Sequence, residues 1–164
     1  MNAARSNCGE QLSVAAHAEV CTVRLGSARF GVPIQSILEI VGSMRPRPVP
    51  LAPEFVGGLV HYRGDVLTAV SLRRLLDLPA VEGEQAVLVI ENEGTCFGLQ
   101  VDAVEQVLEL QADEYEPNPS TLDDRRKGLF AGAYKLPDGL LVMLEIGKLD
   151  PARLDPSRAA GRME

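Results

Sequence analysis

The tripeptide Arg63-Gly64-Asp65 is the stretch of this chain whose residue types most directly suggest a specific chemistry. It is known as a cell-adhesion signal, and an adhesion ligand has to be exported. The first twenty residues have neither a basic start nor a continuous apolar stretch, so we expect no secretory signal. Cys8, Cys21 and Cys96 are few, odd in number and widely spaced, as in proteins of a reducing cytosol. The sequence therefore argues against adhesion and leaves Arg63 with a different role.

Residues that could perform catalysis or bind a metal are scarce. His17 and His61 are the only histidines, and neither belongs to a Cys/His/Asp cluster with metal-ligand spacing. The chain has no GxxxxGK[ST] phosphate loop, no GxSxG elbow and no HExxH motif. Asp65 lies near His61 in sequence, but a turn acid and a strand histidine are far more often solvated than catalytic. We therefore expect no enzyme activity, no metal and no cofactor.

Charge and hydropathy exclude two further classes of protein. The net charge of −7 argues against a nucleic-acid binder, and the longest apolar runs have five residues, whereas a membrane helix needs about 20. Residues 24–74 contain seven arginines against three acidic residues, while residues 75–124 contain thirteen acidic residues and no Lys or Arg. This asymmetry indicates either a solvated acidic surface or a polarised molecule that docks in one orientation.

Hydrophobic patterning predicts short β-strands along nearly the whole chain. The segment "VCTVRLG" (20–26) alternates apolar and polar residues, and nine further segments between 28 and 145 are bounded by Gly, Pro, Asn or Asp. Only "SLRRLLDL" (71–78) and "EIGKLDPARL" (145–154) have a helical pattern. The chain is thus predicted to be all-β, built as small barrels or a sandwich.

Two internal alignments indicate a duplication. The segment "RFGVPIQSILEIV" (29–41) aligns with residues 96–108 at an offset of 67, and "GLVHYRGDVLTAVSLRRL" (58–75) aligns with residues 132–149 at an offset of 74. An insertion around 114–124 accounts for the difference. We predict two similar five-strand units, roughly 20–80 and 81–154, each ending in a short helix. Residues 1–19 are expected to form a flexible extension and residues 155–164 a tail.

Comparison of the two repeat units indicates which residues of the hairpin turn are required by its geometry. The second unit closes its hairpin with "KLPDG" (135–139), an ordinary Pro-Asp-Gly turn, and the first unit uses "HYRGD" (61–65). Gly64 can supply the positive φ of such a turn. Arg63 is not needed there, and its planar, multi-donor guanidinium suits partner binding, although an arginine beside a hairpin glycine is more often simply solvated.

Three stretches, "FGVPIQSILEIV", "VPLAPEFVGGLVHYRGDVLTAVSLRRLLDLP" and "FGLQVDAVEQVLEL", resemble the CheW family, the coupling proteins of bacterial chemosensory arrays. The resemblance runs from about Val20 to Leu154. It implies two intertwined SH3-like five-stranded barrels, a non-catalytic adaptor role, and a cytoplasmic location at membrane-associated receptor arrays. The implied partners are the cytoplasmic tip of a methyl-accepting chemoreceptor and the regulatory domain of a CheA-type histidine kinase, with no nucleic acid and no membrane insertion.

The resemblance also implies binding residues at the first hairpin. Arg63 and Gly64 match the arginine and glycine of the family's NLRG motif, in which the arginine is important for receptor and array contacts. Gly58 matches a glycine just before that motif, where a larger side chain should disturb the fold or the kinase interface. Of these residues Arg63 is the strongest candidate for binding, because a charge has no packing role there.

A second set of implied residues lies beside the receptor groove between the barrels. Ile37 and Glu39 match the family's VQEI segment, and Val104 and Val107 match the second barrel's contribution to the groove. An inward Ile or Val on a barrel strand usually belongs to the core, so Glu39 is the best candidate of the four.

Two departures from the family pattern leave alternatives open. His61 and Tyr62 replace the Asn-Leu of NLRG, and Ser71 replaces the aspartate of the family's VDLR. The chain could therefore be the coupling protein of a divergent, non-flagellar chemosensory pathway. A small-ligand-binding β-barrel is the alternative from another class, but it needs polar residues at inward strand positions, which here are nearly all Val, Leu, Ile and Phe.

Overall fold

The computed structural model describes residues 17–79, 81, 85–117 and 128–154. The predicted extension and tail therefore lie outside the described residues, apart from residues 17–19, and so does most of the predicted insertion. The described strands are β1 His17–Leu25, β2 Ala28–Pro33, β3 Ile37–Met44, β4 Val56–Tyr62, β5 Asp65–Ser71, β6 Gln85–Asn92, β7 Thr95–Val101, β8 Ala103–Gln111, β9 Tyr115–Glu116, β10 Phe130–Leu136 and β11 Gly139–Leu144. Short α-helices span Leu72–Leu75 and Pro151–Leu154, and 3₁₀ turns span Ile34–Ser36, Ala112–Glu114 and Ile146–Lys148.

The strands form two sheets, and the prediction of an all-β fold with short helices is confirmed. One sheet has the order β8-β1-β2-β11-β10-β9, and we call it barrel A; the other has the order β3-β6-β7-β5-β4, and we call it barrel B. Each contains two antiparallel hairpins joined by one parallel pair, β2 with β11 in barrel A and β7 with β5 in barrel B.

Main-chain hydrogen bonds at the far edge close each sheet into a barrel. Beyond the end of β3, Arg47 exchanges two hydrogen bonds of 2.9 and 2.8 Å with Leu59 of β4. In barrel A the same closure is made by β9, which follows β8 and pairs with β10. In each barrel the residues that follow one edge strand, β3 or β8, thus pair with the strand at the opposite edge, β4 or β10. This pairing leaves no open edge in that region.

The predicted duplication is visible in the element bounds and in a shared irregularity. Shifting β4 and β5 by 74 residues places them on β10 and β11, and shifting β2 and β3 by 67 residues places them on β7 and β8. Both β4 and β10 begin with a bulge, between Val56 and Gly58 and between Phe130 and Gly132. The bulge glycines have φ of 146° and 136°, a region that side-chain-bearing residues rarely adopt. A shared bulge of this kind is a strong sign of common descent.

Each barrel combines strands from both repeat units. Barrel A takes β1 and β2 from the first unit and β8 to β11 from the second, while barrel B takes β3, β4 and β5 from the first and β6 and β7 from the second. The boundary near residue 80 between the two repeat units stays a prediction, because the barrels exchange strands across it.

This exchange also determines how the charged segments of the sequence are distributed over the barrels. Arg24 and Arg29 lie in barrel A, where they pair with Glu105 at 3.7 Å and Asp138 at 2.8 Å. The basic segment of the sequence is therefore divided between the barrels.

The apolar core has three parts. A large cluster that includes Leu25, Phe30, Ile90 and Phe97 draws on both sheets and joins the barrels. Val20, Leu110, Tyr134, Leu141 and Met143 fill barrel A, and Val60, Leu67, Ala69 and Val89 fill barrel B. The barrel interiors are thus filled by side chains, as is usual for barrels of this size.

Candidate partner-binding site

Arg63 occupies the first central position of the β4–β5 hairpin turn. Tyr62 pairs with Asp65 across the turn, and Arg63 and Gly64 both have positive φ, 50° and 86°. This two-residue turn has the signs of a type I′ turn, for which Asn-Gly is the preferred pair. The prediction of positive φ at Gly64 is confirmed. Arg63 itself is also in the left-handed region, which disfavours an arginine, so turn geometry does not explain why this residue is there.

The Arg63 side chain forms an ion pair with Glu39 of β3. The guanidinium Nη2 lies 3.4 Å from Glu39 Oε1, and the two side chains are 75% and 43% exposed. The Arg63 guanidinium carbon also lies 5.3 Å from the centre of the Tyr62 ring. Exposed ion pairs of this kind contribute roughly 0–1 kcal/mol to stability, so the pair leaves both groups available to a partner. The two residues that the sequence singled out by their charge are thus in contact.

The ion pair is specific to barrel B. At the equivalent positions of barrel A, Gln106 replaces Glu39 and Pro137 replaces Arg63. The hairpin turn of barrel A instead places Asp138 against Arg29 of the neighbouring strand. Two barrels of the same descent therefore present different polar groups at the same place.

Ile37 and Val104, predicted beside a groove between the barrels, lie on different barrels but pack on the same core. Both are half-buried and contact the apolar cluster that joins the two barrels. Val107 points outward from β8 and is 54% exposed. The structure therefore brings Ile37 and Val104 to the barrel junction as packing residues and leaves Val107 on the surface.

Four other exposed large apolar residues on the described strands were missed by the sequence analysis. Leu38 and Ile40 of β3 are 46% and 43% exposed, and Val66 of β5 and Leu140 of β11 are 55% and 51% exposed. Ile40 is the repeat equivalent of Val107, and Val66 is the repeat equivalent of Leu140. The two alignments pair these positions, so their outward direction on both barrels could have been noticed as a shared feature of the repeats.

Gly58 is held in place by close backbone contacts. It is buried in the β4 bulge, and a Cβ atom at this position would collide with the main chain of Arg47. The collision involves the hydrogen bonds that close barrel B, so this glycine is required by the fold. The sequence prediction that larger side chains are not tolerated at Gly58 has a structural reason in this contact.

A partly buried ion-pair network connects the two barrels, and the sequence analysis did not predict it. Arg73 donates two hydrogen bonds of 2.7 Å to the Asp102 carboxylate, which also accepts from the Gly26 backbone N–H at 2.8 Å and from Gln85 at 3.1 Å. The two side chains of the ion pair are only 12% and 17% exposed. The hydrogen bonds from Arg73 hold the pKa of Asp102 below its usual value. Asp102 thereby joins the β1–β2 turn of barrel A to the helix of barrel B.

Ser71, at the position of the family's aspartate, caps the short helix that follows it. It precedes the helix Leu72–Leu75, and its hydroxyl accepts a hydrogen bond from the Arg74 backbone N–H at 3.3 Å. Serine and aspartate are both preferred at this capping position.

Groups that could perform chemistry are few on the described residues. No cluster of three or more His, Cys, Asp or Glu side chains that could hold a metal ion occurs there. Burial raises the pKa of the Cys21 and Cys96 thiols, so neither is a ready nucleophile at neutral pH. Within the same residues, no helix has the length and apolarity that crossing a bilayer requires.

Comparison with known proteins agrees with the fold. The chain is 22% identical to the scaffolding protein TtCheW from Thermoanaerobacter tengcongensis, whose crystal structure superposes with a TM-score of 0.72 over 80% of this chain and 86% of that one. Among curated proteins, it is 27% identical over 136 residues to the chemotaxis protein CheW of Rhizobium meliloti, covering 82% of this chain and 88% of the relative. It is 28% identical over 127 residues to the CheW of Helicobacter pylori, covering 76% of each.

A family model agrees with these relatives. The model described as the CheW-like domain matches residues 19–152, which is most of the chain. The repeats, the glycine-bearing bulges and all strands except the first two residues of β1 lie within that match. This chain belongs to the family of CheW-like domains.

Proposed function

We propose that this protein is a non-catalytic adaptor that couples chemoreceptors to a CheA-type histidine kinase. Membership of the CheW-like family supports a role in chemotaxis signalling. The observation that carries the more specific proposal is the contrast between the two barrels. Both expose apolar side chains at equivalent positions, and only barrel B adds the Arg63–Glu39 pair.

An adaptor needs at least two binding surfaces that are not interchangeable. Ile40 and Val66 on barrel B and their equivalents Val107 and Leu140 on barrel A offer the same kind of apolar contact. Surfaces that are equivalent on the two barrels suit a partner that is itself built like this protein. The kinase regulatory domain is expected to have the same CheW-like fold. Charged groups at the edge of an apolar contact mainly set orientation and specificity. Arg63 and Glu39 thus distinguish the receptor-facing surface from the kinase-facing one.

The proposed receptor- and kinase-binding residues fall into two groups. Arg63, Glu39 and Val107 are exposed and would contact a partner directly. The other residues would position these side chains, and they are Ile37, Gly58, Gly64 and Val104. We place the protein in the cytoplasm at receptor arrays, where both partners meet, and we propose no enzymatic activity and no cofactor.

The test is a pull-down with the tagged protein and two purified partners, a receptor cytoplasmic tip and a kinase regulatory domain. The proposal expects both to be retained, and Arg63→Ala to reduce receptor retention while kinase retention persists. Arg153→Ala is a matched control, because Arg153 also forms an exposed ion pair, with Glu93 at 3.6 Å. Retention of neither partner would contradict the proposal and favour a ligand-binding barrel.

A further inference from the structure

Leu51, in the loop that leads into β4, is the most exposed of the large apolar side chains on the described residues. The Ala52 backbone N–H donates to the Val49 carbonyl at 3.3 Å, which closes a four-residue turn with Pro50 and Leu51 at its centre. Leu51 has a φ of 63°. A proline followed by a residue with positive φ is the signature of a type II turn, whose second central position favours Gly or Asn. Turn geometry therefore does not explain a leucine here, and neither does core packing.

The conformation of this turn makes Leu51 a rigid apolar anchor. Left-handed backbone is unfavourable for a residue with a side chain, and strained residues of this kind cluster at sites that contact ligands. Pro50 and Pro53 restrict the backbone before and after Leu51, and the Val56 N–H donates to the Pro53 carbonyl at 3.0 Å. A side chain presented on a restricted backbone loses little freedom when it binds, which favours its use as an anchor.

A surface pocket of about 490 Å³ opens close to this turn. Glu54, Arg74, Asp77, Leu78 and Pro79 line it. Glu54 follows Leu51 by three residues, a reach of at most about 11 Å. Leu78 is 37% exposed and gives the pocket an apolar wall. The Arg74 side chain donates to the Val56 carbonyl at 2.9 Å and so ties the loop to the helix Leu72–Leu75. The anchor and the pocket thus lie side by side, and we call them together the Leu51 patch.

We propose that the Leu51 patch binds the same patch on a second copy of this chain. In a two-fold dimer each surface meets its own copy, so Leu51 of each molecule can enter the pocket of the other. A second copy is the occupant that supplies both an anchor for the pocket and a pocket for the anchor. Two leucines and their surroundings cover far less than the roughly 800 Å² per partner of a stable interface. The dimer is therefore weak, with a dissociation constant on the order of 0.1–1 mM.

The Leu51 patch and the Arg63 turn lie at opposite ends of β4. The loop with Leu51 leads into Val56, the first residue of the strand, and Arg63 follows Tyr62, its last residue. A strand of this length separates the two ends by about 20 Å. Self-association through the patch therefore leaves the Arg63–Glu39 pair accessible. It goes beyond the proposed coupling function and does not depend on it.

The direct test is a dilution series of the full-length protein, followed by amide NMR spectra and by sedimentation, between about 0.05 and 1 mM. We expect the amide signals of Leu51 and Leu78 to shift with concentration and to fit one dimerisation constant, while the average mass rises. Neither receptor nor kinase is needed, so the outcome is independent of the coupling function. Concentration-independent spectra, or shifts confined to other surfaces, would overturn the proposal.

Two matched variants locate the contact. Leu51→Asn should weaken self-association at least about tenfold, because each dimer loses two buried leucines. Its melting temperature should stay the same or rise, since asparagine tolerates positive φ. Leu140→Asn makes the same change at a 51% exposed leucine of barrel A and should alter the dimerisation constant less than about twofold. Equal weakening by both variants would show non-specific apolar association, and a lower melting temperature of Leu51→Asn would show a structural role; either result refutes the patch.

Discussion

Arg63 adopts a backbone conformation that its side chain disfavours, at a turn where Asn-Gly would be more stable. Its ion pair with Glu39 is exposed and returns little stability. Unfavourable local geometry of this kind is retained where the surrounding structure or the function requires it. A requirement of function fits Arg63, because its exposed side chain would face a partner.

Arg63→Asn therefore separates folding from coupling. Asparagine tolerates positive φ, so the free energy of unfolding in urea should stay the same or rise by up to about 1 kcal/mol. Receptor binding should fall because the guanidinium is gone. A loss of more than about 1 kcal/mol would show that the Arg63–Glu39 pair is structural and that its assignment to partner binding is wrong.

Asp102 gives the stability of the protein a specific dependence on pH. Its pKa is lowered in the folded state, so its contribution is present above the unfolded value of about 3.9 and is lost as pH falls through the folded value. Asp102→Asn should lower the free energy of unfolding at pH 7 by about 2 kcal/mol and should flatten its decline between about pH 5 and 3.

Urea unfolding at a series of pH values measures this effect, with Asp65→Asn as the control at an exposed position at the start of β5. An unchanged slope in Asp102→Asn would show that other carboxylates dominate acid unfolding.

The sequence contained both partners of this ion pair, Arg73 in "SLRRLL" and Asp102 in "GLQVD", but their contact spans 29 residues and crosses the barrel junction. Local patterns do not reveal such a pairing.

At the scale of elements, local patterns predicted the ten longer strands well, but they predicted the end of the first helix and the two-residue strand β9 less well. All ten predicted strands are present, because alternation and turn residues are local properties. The helix expected over 71–78 ends at Leu75, since Asp77 has a φ of 59° and cannot continue a helix. The small strand β9 was missed because two residues carry no period.

The two bulge glycines should respond differently to the same substitution. At Gly58 an added Cβ atom would meet the Arg47 main chain, whereas at Gly132 it would lie 2.6 Å from the Tyr115 ring. Displacing that ring costs a hydrogen bond to the Ala131 carbonyl and an edge contact with Tyr134 but moves no main chain. Both changes also force alanine to positive φ. We expect Gly58→Ala to cost about 3–4 kcal/mol and Gly132→Ala about 2 kcal/mol. Equal losses in thermal or urea unfolding would contradict the backbone-contact explanation.

At the scale of the whole molecule, we expect the exchange of strands between barrels to make the chain fold as a single cooperative structure. Periodicity showed where the strands are and alignment showed that they are duplicated, but neither shows which strands pair. The intertwined arrangement was implied by family resemblance alone. For the same reason the charge asymmetry of the sequence does not assign one sign of charge to each barrel, since sequence halves and barrels are different divisions of the chain.

Cutting the chain between Pro79 and Gln85 tests the exchange. Neither fragment contains a complete barrel, so each alone should be unfolded by circular dichroism and should lack dispersed amide signals in NMR spectra. Mixing the two fragments should restore the native spectrum. A first fragment that folds cooperatively without the second would contradict the strand exchange.

The adaptor function is tested most directly by reconstitution of a ternary complex. Receptor cytoplasmic tips, a CheA-type kinase and this protein are mixed, and co-sedimentation of the kinase with the receptor is measured with and without the protein. We expect the kinase to sediment only when the protein is present, and Arg63→Asn to abolish most of this effect while the variant remains folded. Co-sedimentation that is independent of the protein, or unaffected by Arg63→Asn, would contradict the proposed coupling through barrel B.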